Sequence, residues 1–133
     1  MARIEWAQLC ELAFLDRCDR LCLIGVTNRF PVPSLPLAVH QIMIAARVID
    51  ARPGEEFEVG LTIQTPNQLW TAPEGADGYE VGIAGEYVLM TLRNLPLSAE
   101  GIYRFELSLG SEPPLVLKIP VFLVSTPRHA EIH

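Results

Sequence analysis

The feature that most constrains the fold is a regular alternation of apolar and polar side chains between residues 101 and 109. Its apolar members recur at every second position, which is the period of a β-strand with one buried face; they are Tyr103, Phe105, Leu107 and Leu109. A second apolar run covers residues 115–124, and the break between the two runs contains a glycine and two prolines. The two runs predict an antiparallel hairpin in an all-β protein.

The apolar residues of this hairpin also predict its register, because opposed residues of an antiparallel pair share a face. A loop over 110–114 sets Leu109 against Leu115. Counting back gives the other apolar pairs: Leu107 with Leu117, Phe105 with Ile119, and Tyr103 with Val121. A one-residue shift would break this match. Pro120 cannot donate a ladder hydrogen bond, so it indicates an edge, a bulge or a change of partner strand.

Further strands are predicted along the rest of the chain, at about 4–15, 21–30, 37–49, 57–65, 79–84 and 87–95. A short helix is an alternative for the first, and the aspartate-containing segment 16–20 predicts a turn between the first two. The strands at 37–49 and 57–65 predict a second hairpin, in which Val48 faces Phe57 and the pairs continue inward: Ala46 with Val59, Ile44 with Leu61, and Ile42 with Ile63. Seven or eight short strands without an amphipathic helix predict an antiparallel β-sandwich, with a small β-barrel as the alternative.

Length and composition predict one domain over residues 1–124 and a polar C-terminal tail over 125–133. Half of the 133 residues are apolar, which is too many for a disordered chain. No apolar run reaches the ~20 residues of a membrane span, and the first residues lack the layout of a signal peptide. These features predict a cytoplasmic protein with no membrane partner. The net charge of −6 argues against a nucleic-acid partner, which needs a basic surface.

No catalytic residue, metal site or cofactor is predicted. The histidines, His40, His129 and His133, show no metal-ligand spacing. Cys10, Cys18 and Cys22 are an odd set that predicts reduced thiols. An enzyme would require a cleft that gathers His40 with Cys18, Asp16 or Glu11.

The candidate binding residues lie in and beside the irregular segment that follows the fourth predicted strand. Trp70 is close in sequence to Asn67 and Gln68, and Tyr79 follows. An aromatic ring beside amide side chains on a loop is typical of a sugar or partner contact. The alternative is that Trp70 closes one end of the sandwich core.

Segments 4–13, 21–30, 53–55 and 101–107 together resemble a bacterial family of uncharacterised small β-sandwich domains. The resemblance covers most of the chain and implies an intracellular, immunoglobulin-like sandwich of unknown function, with no catalytic residues to carry over. The Cys, Trp and Cys spacing of antibody domains is absent, so "immunoglobulin-like" refers to architecture alone. The turn at 17–19 departs from the Asn-Gly type expected there, and the acidic segment after Trp70 is particular to this chain.

The function predicted from these observations is that of a non-enzymatic protein-interaction or structural module. An apolar-rich chain with open sheet edges must protect or pair them. The expected partner is therefore a second copy, in a homodimer, or another protein. The alternative function is a small-ligand or carbohydrate-binding module that uses the loop around Trp70.

Overall fold

The computed structural model of the chain describes residues 2–66 and 78–124, together with the backbone of 69–70. These residues contain eleven β-strands and no helix. The strands are β1 (Arg3–Cys10), β2 (Leu12–Leu15), β3 (Leu21–Ile24), β4 (Phe30–Val32), β5 (Leu37–Ile49), β6 (Val59–Gln64), β7 (Leu69–Trp70), β8 (Tyr79–Ala84), β9 (Tyr87–Leu97), β10 (Gly101–Leu109) and β11 (Leu115–Leu123). Within this part of the chain, no helix has the length and apolar character needed to cross a bilayer.

The strands form three separate sheets. One has the order β1-β5-β9-β8, the second has the order β4-β11-β10-β6-β7, and the third is the two-stranded hairpin β2-β3. Neighbouring strands are antiparallel except β4, which runs parallel to β11. Among the described residues neither large sheet closes on itself, so the alternative of a small barrel is wrong. The fold is an immunoglobulin-like antiparallel β-sandwich: β1, β5, β9 and β8 form one of its two layers, and β4, β11, β10, β6 and β7 form the other.

The core lies between the two large sheets and uses the alternation seen in the sequence. Tyr103, Phe105 and Leu107 of β10 are completely buried, and Ile44 of β5 and Met90 of β9 meet them from the other sheet. The connection from β9 to β10 crosses between the sheets and is fixed by Tyr103. Its hydroxyl accepts hydrogen bonds from the backbone N–H groups of Ser98 (3.1 Å) and Ala99 (3.3 Å) and donates one to the Ala99 carbonyl (3.0 Å).

The C-terminal hairpin is present, but its predicted register is wrong by two residues. Leu107 pairs with Leu115, Phe105 with Leu117 and Tyr103 with Ile119. A shift of two leaves every side chain on its predicted face, because the side-chain period of a strand is two. The apolar pattern therefore cannot distinguish the two registers. Leu109, which was expected to face Leu115, lies beyond the last pair with β11 and pairs only with Val59 of β6, on the other side of β10. The loop between β10 and β11 is therefore longer than predicted.

The second predicted hairpin does not exist. β5 pairs with β1 and β9, whereas β6 pairs with β10 and β7, so the two strands lie in different sheets. Ile42 and Ile44 nevertheless share one core with Leu61 and Ile63, which belong to the opposite sheet. Apolar alternation shows which face of a strand is buried. The same alternation occurs whether the apolar partner is a neighbouring strand in the same sheet or a strand in the opposite sheet.

The N-terminal segment is β-structure rather than a helix, as predicted, but it is divided at Glu11 into β1 and β2. The turn at 16–20 joins β2 to β3 as expected. The strand predicted over 21–30 is also divided, into β3 and β4, with an isolated bridge from Thr27 to Leu9 between them. The tail predicted at 125–133 lies outside the described residues.

Candidate interaction surface

The hairpin β2-β3 is inserted between the first and fourth strands and packs on the outer side of the four-stranded sheet. Its pairs are Leu12 with Ile24, Ala13 with Leu23, Phe14 with Cys22, and Leu15 with Leu21. Because opposed residues share a face, the pairs divide alternately between the two sides of the hairpin. One side is turned toward the large sheet and the other toward solvent.

The inner side covers a second, smaller core on the outside of the sandwich. Its buried members are Cys10 of β1, Ala13 of β2, and Met43 and Ala45 of β5. Half-buried apolar side chains surround them: Trp6, Leu21, Leu23 and Leu89. The backbone N–H of Ala13 donates to the sulfur of Met43 at 3.3 Å. The hairpin is therefore attached to the sheet by packing.

The outer side of the hairpin is apolar and open to solvent. Leu12, Phe14 and Ile24 are 41%, 38% and 51% exposed, and Cys22 is half-buried beside Phe14. These four residues are called the hairpin face below. Exposed large apolar side chains usually occur singly, whereas here they form two adjacent cross-strand pairs.

Hydrogen bonds hold the tip of the hairpin. Asp16 Oδ1 accepts from the backbone N–H groups of Cys18 (2.8 Å) and Arg20 (3.0 Å), and its Oδ2 accepts from Arg20 Nε at 2.7 Å. The hydrogen bond from the Arg20 backbone is the main cause that lowers the pKa of the Asp16 carboxyl below its usual value. Asp19 completes the turn with a φ of 58°. The side chain of Arg17 at the tip makes no ion pair or hydrogen bond with any described residue, and Arg17 is exposed to solvent.

The base of the hairpin is also fixed. The backbone N–H of Glu11 donates to the carbonyls of Ile24 (3.0 Å) and Gly25 (3.2 Å). Gly25 has a φ of +69°, and a Cβ at this position would lie 2.7 Å from Glu11 Cγ. Only glycine fits both the backbone conformation and this close approach. The Glu11 side chain is exposed, and its carboxylate has no ion pair with another described residue.

All three cysteines are free thiols in different surroundings. Cys10 is buried in the second core, and burial raises the pKa of its thiol while a backbone hydrogen bond from Leu12 opposes the shift. Cys18 is exposed in the turn, and Cys22 is half-buried on the hairpin face. Cys22 Sγ lies 3.7 Å from the Arg20 carbonyl oxygen. Cys10 is thus a packing residue, whereas Cys18 is open to reagents.

The residues predicted to bind a ligand are not assembled into one described site. Asn67 and Gln68 lie outside the described residues. The backbone of Trp70 pairs with Ile63 in the five-stranded sheet, whereas Tyr79 begins β8 in the other sheet. Tyr79 is only 7% exposed and packs in the main core. The site around Trp70 stays a prediction.

The residues considered for catalysis are distributed over the hairpin and β5. Glu11 lies at the base of the hairpin, Asp16 and Cys18 lie at its tip, and His40 is exposed on β5. Both carboxylate oxygens of Asp16 already accept hydrogen bonds from the turn. Within the described ranges, no group of three or more His, Cys, Asp or Glu side chains could hold a metal ion.

Sequence reasoning missed the hairpin face, although a signal for it was present. Residues 12–15 and 21–24 are apolar at nearly every position, which indicates a strand buried on both faces. A two-stranded hairpin of four residues per arm can bury only one of its faces against the sheet beneath it. Apolar side chains on both faces of such a short hairpin therefore indicate that one face needs another partner.

The sheet order, the parallel β4 strand and the inserted hairpin define this chain as an immunoglobulin-like sandwich domain that carries an additional apolar hairpin. The chain belongs to a family of unknown function, DUF6941, whose sequence pattern matches residues 5–122. This confirms the predicted membership of a family of uncharacterised small domains. Among solved structures the chain is similar to the M1 domain from titin, at 10% identity and a TM-score of 0.37, over 67% of this chain and 84% of that chain. Among curated proteins no sequence matches it.

Proposed function

We propose that this chain is a non-enzymatic interaction module that self-associates through the hairpin face. The observation that carries the proposal is the exposure of three apolar side chains, Leu12, Phe14 and Ile24, in two adjacent cross-strand pairs of a hairpin that is fixed at both ends. A rigid apolar surface loses little conformational entropy on docking, and burial of its side chains is the main favourable contribution to association.

A second copy of the chain suits this face for two reasons. The face carries no charge of its own, so two copies can pack against each other without burying an unpaired ion. The exposed charges lie beyond it, with Arg17 at the tip and Glu11 at the base. When two hairpins pack face to face in antiparallel directions about a two-fold axis, the tip of each lies over the base of the other. Each Arg17 then approaches the partner's Glu11.

The size of the face indicates a weak dimer. Four side chains on two short strands form a contact smaller than the roughly 800 Å² per partner of a standard stable interface. We therefore expect dissociation in the micromolar range.

Light scattering at increasing concentration tests this function on the full chain. Ile24 and Ile102 are both 51% exposed, and they lie on the hairpin face and on β10 respectively. Ile24→Glu should weaken the dimer, because it places a carboxylate in an apolar contact and raises the dissociation constant by about tenfold or more. Ile102→Glu makes the same change elsewhere and should leave the dimer intact.

Two outcomes contradict the proposal. One is a wild-type chain that stays monomeric at concentrations where a micromolar dimer is populated. The other is equal loss of the dimer in Ile24→Glu and Ile102→Glu, which would mean that association depends on general surface character. Circular dichroism of both variants separates either result from a loss of folding.

A further inference from the structure

The outer side of the five-stranded sheet carries a second exposed surface, formed by β10 and β11. Tyr103 and Phe105 of β10 are completely buried in the core, so the residues that alternate with them point outward. Opposed residues share a face, so their partners on β11, and every second residue from those partners, point outward as well. Five outward residues are called the β10–β11 face below: Ile102, Arg104, Lys118, Pro120 and Phe122.

Two cations stand directly opposite each other on the β10–β11 face. Arg104 pairs with Lys118 in the ladder between the two strands, and Lys118 is the single lysine of the sequence. Like charges at opposed positions repel each other, because their Cβ atoms are only about 4.5–5.5 Å apart. Neither side chain makes an ion pair or hydrogen bond with another described residue. An anion placed over both cations would relieve this repulsion.

The carboxylates beside this pair of cations do not neutralise it. Glu106 points outward two residues further along β10 and makes no ion pair with any described residue. Glu100 precedes the other end of β10, where its carboxylate accepts a hydrogen bond from the backbone N–H of Leu123 at 2.7 Å. On the far side of Arg104, the opposed residue of β6 is the uncharged Gln64. The two cations therefore form a local positive site on an acidic chain.

Apolar side chains continue the face on one side of the cations. Ile102 is 51% exposed and is opposed by Pro120. Phe122 follows Pro120 on β11 and is paired with the exposed Pro31 of β4. Within the described residues, the apolar clusters lie between the two large sheets and beneath the hairpin, and neither cluster includes these four side chains. They form two adjacent apolar rows on the outside of the sheet.

The cations and the two apolar rows have the spacing of side chains on one side of an extended peptide. Successive rows of the face are two residues apart along a strand, which is about 6.6–6.8 Å. An extended peptide places its residues i, i+2 and i+4 on one side at the same interval. An acidic residue over Arg104 and Lys118 therefore brings the next two residues of that side over Ile102 and then over Phe122.

From these observations we propose that the β10–β11 face binds an extended acidic segment of a partner protein, with the pattern acidic-x-apolar-x-apolar. The carboxylate accepts charge-assisted hydrogen bonds from Arg104 and Lys118 together, and the two apolar side chains cover Ile102 and Phe122. Charge selects this occupant, because a neutral or basic segment of the same shape would cover two cations without pairing them. The hairpin face lies on the opposite side of the sandwich, outside the four-stranded sheet, so the two surfaces are separate.

Fluorescence polarisation with the labelled peptide Ser-Glu-Ser-Leu-Ser-Leu-Ser tests the inference on the full chain. The net charge of −6 repels an acidic peptide at long range, so binding at low salt requires a local cationic site. The double variant Arg104→Gln/Lys118→Gln should weaken the binding by about fivefold. Ile102→Glu should weaken it at least as much, because it removes an apolar contact and adds a negative charge near the peptide carboxylate. Replacement of the peptide glutamate by glutamine should also weaken it.

Each variant has a matched control outside the face. Arg3→Gln/Arg52→Gln removes two positive charges from β1 and from the connection before β6, and Ile24→Glu adds one negative charge on the hairpin face. Both controls should leave the affinity for the peptide nearly unchanged, and circular dichroism checks that every variant is folded.

Failure of the wild-type chain to bind the peptide at low salt would overturn the inference. Equal weakening by a variant and its control would overturn it as well, because the peptide would then respond to net charge alone. Self-association is measured on the chain without peptide and is expected to respond to Ile24→Glu and not to Ile102→Glu. The peptide is expected to show the reverse pattern, so each proposal can fail without the other.

Discussion

The crossing from β9 to β10 depends on one hydroxyl group, and its removal gives a quantitative test of the fold. Tyr103 is completely buried, and its hydroxyl makes three hydrogen bonds to the backbone of Ser98 and Ala99. Tyr103→Phe keeps the ring in the core and leaves two N–H groups and one carbonyl without this partner. The variant therefore isolates the polar contribution of the connection from its packing.

The expected loss follows from these contacts. A net hydrogen bond is worth about 0.5–1.5 kcal/mol, and a buried group left unsatisfied costs more. Ser98 is exposed, so water replaces part of what is lost there, whereas Ala99 is half-buried. We expect Tyr103→Phe to lower the free energy of unfolding by about 2 kcal/mol.

Urea denaturation followed by tryptophan fluorescence measures this change. With a slope of about 1–3 kcal/mol per molar urea, the midpoint should fall by roughly 1 M. The control is Tyr79→Phe, because Tyr79 is buried in the same core and its hydroxyl has no hydrogen bond within the described chain. A midpoint for Tyr103→Phe that matches the wild type, or that matches Tyr79→Phe, would refute the role assigned to this hydroxyl.

Two further predictions concern the hairpin. Gly25→Ala should destabilise the chain by more than Gly85→Ala. Both glycines have a positive φ, which costs alanine about 1–2 kcal/mol. Only at Gly25 would the new Cβ crowd another residue, because it would lie 3.1 Å from Glu11 Cβ, an atom that rotation of the exposed Glu11 side chain cannot move away. Equal midpoints in urea for the two variants would show that the base of the hairpin is not packed as described. Iodoacetamide should alkylate Cys18 before Cys10 in the folded chain, since Cys10 is buried and burial raises the pKa of its thiol, which leaves less thiolate at neutral pH. Peptide mass spectrometry after short exposures measures the order, and alkylation of Cys10 at the rate of Cys18 would contradict it.

The sequence was sufficient to predict which face of each strand is buried, because burial and side-chain period are linked along one strand. It was not sufficient to predict which strands are neighbours. Ile42 and Ile44 lie in the same core as Leu61 and Ile63 but in the opposite sheet, although the same apolar pattern suits a hairpin equally well. The C-terminal register failed for a related reason, since a shift of two residues keeps Leu107 against an apolar partner.

The candidate surface was harder to predict than the fold. The turn at 16–20 and its two flanking strands were recognised, yet the exposure of Leu12 and Ile24 depends on what lies beneath the hairpin. Met43 and Ala45 lie beneath the hairpin because β5 pairs with β1. This pairing joins residues far apart in the sequence, so the local pattern of side chains does not predict it.

The central claim is that the hairpin face is the contact between two copies, and isoleucine methyl NMR across a concentration series tests it most directly. Ile24 on the face and Ile102 on β10 are equally exposed and serve as paired reporters in one sample. Between about 10 and about 500 µM, a range that brackets a dissociation constant of tens to hundreds of micromolar, the Ile24 methyl signal should shift or broaden while that of Ile102 stays constant. A constant Ile24 signal over this range, or a shift confined to Ile102, would contradict the account.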